Sequence, residues 1–69
     1  MASLSRIDRL RSQAKGYVIT NLTAYGNSLV PDEVVNSLGA PTTARLLSVI
    51  MGEPVAVYKC QAGFWIAKR

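Results

Sequence analysis

Histidine is absent from the 69 residues, and with it the commonest general base and metal ligand. Cysteine occurs once, as Cys60, which excludes an internal disulfide, argues against a cysteine-built metal site and fits a reducing compartment. Without a histidine partner Cys60 cannot form the usual activated thiolate pair, and its place in an alternating segment reads as a small core residue. Acids are also scarce. Asp32 and Glu33 are sequence neighbours, which a helix turns about 100° apart, so they suit a helix start better than paired acid–base chemistry. Gly26, Gly39, Gly52 and Gly63 follow no phosphate-loop spacing and punctuate elements instead. No enzyme, cofactor or metal is expected. Long apolar runs are missing too: Leu46 to Met51 and Val55 to Tyr58 are too short to span a bilayer, and Arg6, Arg9 and Arg11 interrupt any secretory core. A cytoplasmic protein without a membrane role is expected.

What is present is apolar content, at 49% hydrophobic against 17% charged residues, which is too much for a disordered chain. A chain this short has room for one domain, residues 1–69, of marginal stability. The net charge of +4 sits at the two ends. Residues 1–15, a basic helix or arm, hold Arg6, Arg9, Arg11 and Lys15 against Asp8, while Lys59, Lys68 and Arg69 close the chain with no acid beside them. Ends of that kind attract phosphate at long range.

Leu4, Ile7, Leu10 and Ala14 fall at helical spacing with Ser3 or Ser5 as a cap, and beyond a weakening Gly16 the pattern resumes with Tyr17, Val18, Leu22 and Tyr25 up to Gly26. Leu29 and Val30 suit a very short strand. Pro31-Asp32-Glu33 reads as a helix start, with proline at the first helical position and acids at the positive end of the dipole, and Gly39 as its stop. Ala40 and Pro41 then lead to a helix capped by Thr42 and running to Met51. Its buried arc is expected to hold Ala44, Leu46, Leu47, Ile50 and Met51, with Thr42, Arg45 and Val49 opposite and Ser48 at the flank. The tail reads as a hairpin turning at Gln61-Ala62-Gly63. Tyr58 should face Ile66, and Cys60 face Phe64, on the core side, while Lys59 meets Trp65 on the other.

In order and spacing, PDEVVNSLGAPTTARLLSVI followed by VAVYKCQAGFWIAKR resembles the helix-turn-helix pair and wing of the winged helix-turn-helix family, an α+β fold, over Ser28 to Arg69. The resemblance implies a small DNA-binding regulator, of the kind phages and mobile elements encode. The helix 42–51 would enter the major groove of double-stranded DNA. There Thr42, Thr43 and Ser48 would contact phosphate or base edges, Arg45 guanine and Val49 a thymine methyl. Gln61 at the wing tip, with Lys59, Lys68, Arg69, Lys15, Arg6, Arg9 and Arg11, would touch the backbone. The swapped-hairpin domains of transition-state regulators are a poorer match, because they need strands where residues 43–50 read as helix.

A reading helix usually carries several Arg, Lys, Asn or Gln side chains, and this one has Arg45 alone. The alternative is therefore an adaptor or inhibitor that docks on a protein of the transcription or defence machinery through exposed Val49, with Trp65 read first as packing under the N-terminal helix and otherwise as a dimer or partner contact. A homodimer is compatible with either.

Overall fold

The computed structural model describes the backbone of residues 6–69 and the side chains from Ser12 onward. Three helices, α1 (Arg6–Tyr25), α2 (Asp32–Leu38) and α3 (Ala40–Met51), combine with three strands, β1 (Asn27–Val30), β2 (Ala56–Lys59) and β3 (Trp65–Lys68). The strands form one antiparallel sheet in the order β1-β3-β2. The architecture is α+β. The expected cap at Ser3 or Ser5 and the expected packing of Leu4, Ile7 and Leu10 lie outside the described residues.

α1 passes straight through Gly16, where the sequence predicts a weakening. Ala14, Val18 and Leu22, spaced four apart, are all buried, so the same stripe faces the core on both sides of the glycine. A mid-helix glycine costs about 1 kcal/mol, and burying Val18 and Leu22 returns about 1.5–3 kcal/mol each, so packing wins. Tyr17 and Tyr25 do not share that stripe and are exposed. At Gly26 (φ 81°) the helix stops as expected, and the glycine N–H donates to the Leu22 carbonyl at 3.0 Å. β1 is then held back against α1: Asn21 Nδ2 donates to Ser28 Oγ at 3.2 Å, and that buried hydroxyl donates to the Leu29 carbonyl at 2.8 Å.

Pro31 stands at the N-cap of α2, one residue earlier than expected, and Asp32 and Glu33 occupy the first turn. The joint between α2 and α3 is tighter than the sequence suggested. Gly39 alone separates them, Ala40 and Pro41 are already helical, and Thr42 is not the cap. Proline is tolerated in a first turn because its missing N–H has no partner to lose there. Gly39 adopts φ 87°, ψ 149°, a region that is essentially glycine's own. Its N–H closes α2 on the Val35 carbonyl at 2.7 Å, and its carbonyl opens α3 by accepting from the Thr43 N–H at 3.0 Å and Thr43 Oγ1 at 2.8 Å. Gly39→Ala is therefore expected to lower unfolding free energy by about 1–3 kcal/mol, as read by urea denaturation. The added Cβ would meet only Pro41 Cδ at 4.0 Å, so the cost is backbone strain and not a clash.

In the hairpin the register matches expectation, with Tyr58 opposite Ile66 and Lys59 opposite Trp65. The sidedness is reversed. The core takes Val55 and Ala67, with Val57 and Trp65 packed partly against it, while Tyr58 and Phe64 are exposed and Cys60 is only half-buried. The cause lies in β3, the central strand, whose Ala67 is wholly buried and is flanked by Ser28 and Val57 on its two neighbours. A small side chain there lets the Val18–Leu22 stripe of α1 lie close to the sheet, and Trp65, two residues away on the same face, turns inward with it.

Candidate nucleic-acid interface

α3 divides into a committed face and a free one. Thr43, at 2% exposure, and Leu47 are buried, and Ala40 and Met51 pack partly against the core. Thr42, Arg45 and Val49 are exposed, Val49 at 74%, and their spacings of three and four put them in one row along the helix. Leu46 and Ile50, expected in the buried arc, are each 38% exposed and border that row. The buried arc is narrower than helical periodicity suggested and includes Thr43, whose hydroxyl is held by the Gly39 carbonyl.

Two of the polar residues expected to contact DNA are spent on the fold. Thr43 is one. Ser48 is the other: its hydroxyl donates to the Ala44 carbonyl at 2.7 Å, lies 3.3 Å from the Val55 carbonyl and accepts from the Val55 N–H at 2.9 Å, so it ties the end of α3 to the entry of β2. A hydroxyl so engaged has little capacity left for a base or phosphate.

Arg69 is also committed. Its guanidinium forms a two-pronged pair with Glu53, Nε to Oε1 at 2.6 Å and Nη2 to Oε2 at 3.0 Å, and Nη1 donates to the Leu22 carbonyl at 3.4 Å. Its backbone N–H donates to the Gly26 carbonyl at 3.0 Å. Arg69 thus fastens the last strand to the negative end of the α1 dipole. The hydrogen bonds from Arg69, reinforced by its charge and opposed by partial desolvation, hold the Glu53 carboxyl below the ordinary glutamate range, and the same pair holds Arg69 above its own. For a carboxyl whose folded value is depressed, the contribution is complete above the unfolded value, about 4.3, and is lost as pH falls through the folded one. In thermal melts from pH 7 down to pH 3, Glu53→Gln is expected to remove part of the acid-side slope, leaving a small change near neutrality because the pair is exposed.

The remaining cations are available. Lys15, Arg45, Lys59 and Lys68 are exposed and have no carboxylate partner among the described residues. Lys59 Nζ lies 5.9 Å from the Trp65 ring centre, the contact expected from the hairpin register, which steadies the charge near the hairpin tip without neutralising it. Gln61 is exposed in the turn, where the Gly63 N–H donates to the Cys60 carbonyl at 3.0 Å and Gly63 takes φ 92°. Arg6, Arg9 and Arg11 lie on the first turns of α1, and their side chains are outside the described residues.

The outward face of the sheet carries Tyr58, Ile66 and Phe64, for which the sequence predicts the core side. Leu29, Ile66 and Tyr58 stand side by side across the three strands, with Leu29 and Tyr58 exposed and Phe64 exposed beside β3. Among the described residues no group of three or more Cys, Asp or Glu side chains is placed to hold a metal ion, and no helix is long and apolar enough to cross a membrane. No protein-family model matches the chain, and neither a curated protein nor a solved structure matches it at a significant level.

Proposed function

We propose that the chain is a small DNA-binding regulator of the winged helix-turn-helix type, with α3 as the helix that enters the major groove and the β2–β3 hairpin as the wing beside it. The order helix, strand, helix, helix, strand, strand, with β3 between β1 and β2, favours that fold. The observation that carries the function is the row Thr42, Arg45 and Val49, exposed along α3 while Thr43 and Leu47 anchor the other side. Arg45 offers the planar donor pair that matches guanine, Val49 a methyl surface for thymine, and Thr42 a hydroxyl for phosphate near the helix start. Lys15, Lys59, Lys68 and Gln61, with Arg6, Arg9 and Arg11, supply contacts that are indifferent to sequence.

The test is selection of preferred duplexes from a random pool, followed by Arg45→Ala. Arg45→Ala is expected to lower discrimination between the preferred and a scrambled duplex by about 5–150-fold while weakening scrambled-duplex binding far less. Unchanged discrimination would refute the role given to α3, and undetectable binding of the pool at low salt would refute DNA as the partner.

A second function, docking on a protein, is favoured by one specific observation: Leu46, Val49 and Ile50 make the free side of α3 more apolar than a groove-reading helix usually is. An adaptor or inhibitor of that kind should capture one stoichiometric protein through nuclease treatment and high salt, and Val49→Asp should abolish the capture. Failure of any protein to co-purify would count against it.

A further inference from the structure

We propose that the hollow between α1, α2 and α3 is a binding site for a small organic carboxylate with an unbranched or aromatic apolar body. The hollow measures about 250 Å³ and is walled by Val18 from α1, Val30 from β1, Val34 and Leu38 from α2, and Leu46 and Leu47 from α3. An apolar cavity of about 150 Å³ is enough to hold benzene, so this one suits a ligand of about ten heavy atoms.

The polar groups are distributed unevenly around it. Thr43, among the walls, has its hydroxyl committed to the Gly39 carbonyl, so that side offers an incoming molecule little beyond apolar surface. Ser12 and Lys15, one helical turn apart on α1, stand exposed at the edge, and neither has a hydrogen-bond or ion-pair partner among the described residues. Lys15 is the only charged group among the described lining residues, and none of them is an acid. The complementary ligand therefore has an apolar tail directed at the helix junction and an anionic head paired with the Lys15 ammonium, with the Ser12 hydroxyl as a second donor. A neutral head forgoes the ion pair, and a cationic head meets repulsion. The site is distinct from Thr42, Arg45 and Val49, and it stands whether or not the chain binds DNA.

The experiment uses the full chain labelled with ¹⁵N and three probes of equal length: octanoate, 1-octanol and octylammonium. Octanoate is expected to give saturable amide shifts at Val18, Val34 and Leu47, 1-octanol to bind about fivefold more weakly, and octylammonium more weakly still. Lys15→Gln, at an exposed position, should make octanoate bind no better than 1-octanol while leaving 1-octanol unchanged. Absence of saturable shifts at the lining amides, equal affinity for octanoate and 1-octanol in the wild type, or a preference for octanoate that survives Lys15→Gln would each overturn the proposal.

Discussion

Replacing Leu22 by alanine is expected to remove about 3 kcal/mol of unfolding free energy, within the range of about 2–5 kcal/mol for emptying a buried leucine site. Leu22 is wholly buried, and the elements around it cannot all close the gap. Its stripe on α1 packs against β1 and β3, and its carbonyl accepts from both the Gly26 N–H and Arg69 Nη1, which pins the backbone in place. A domain of this length has about 3–10 kcal/mol in total, so the variant should be partly unfolded at 37 °C. Val49→Ala provides the contrast. Val49 is 74% exposed on a helix, where alanine is the better helix former, and its unfolding midpoint in urea should stay level or rise slightly. Equal losses at the two positions would contradict the placement of the core.

DNA affinity is expected to fall about a hundredfold between 50 and 200 mM monovalent salt. Each phosphate neutralised by the protein contributes about 0.9 to the slope of log affinity against log salt, and three to four contacts give a slope of about −2.7 to −3.6. The cations available for such contacts include Lys15, Arg45, Lys59 and Lys68, whereas Arg69 is engaged with Glu53. Lys59→Ala and Lys68→Ala should each lower the slope by about one and weaken all sequences alike, and Arg69→Ala should act mainly on stability. A flat salt dependence would point away from phosphate altogether and toward the apolar border of α3.

Most of the elements were legible in the sequence because their punctuation is local. Gly26, Gly39, Gly52 and Gly63 all take positive φ, and each falls at an element boundary that the residues around it announce. The hairpin register followed from the loop length, and it brought Lys59 to Trp65 correctly. The side of the hairpin that turns inward was not legible. Val55 and Val57 on one face, and Tyr58, Ile66 and Phe64 on the other, are both apolar, so alternation does not choose between them. The choice is made by Ala67 in the central strand, whose size admits α1, and that is a contact between distant parts of the chain. Distance also explains the errors at the interface. Ser48 flanks the free row, which points it to DNA, but Val55, folded back after Gly52, claims its hydroxyl. Arg69 belongs by sequence to the basic ends, but it closes on Glu53, sixteen residues earlier. The row Thr42, Arg45 and Val49 came through because helical periodicity alone sets it.

The most direct test of α3 as the DNA-facing element is an amide chemical-shift map of the ¹⁵N-labelled chain titrated with a short duplex at 50 mM salt. The expected result is a cluster of shifts over residues 41–49 and around Gln61, with Leu29 and Tyr58 on the outward sheet face unmoved and, on that face, a shift at Lys68 alone. Shifts gathered on that sheet face instead, or none at all at saturating duplex, would contradict it.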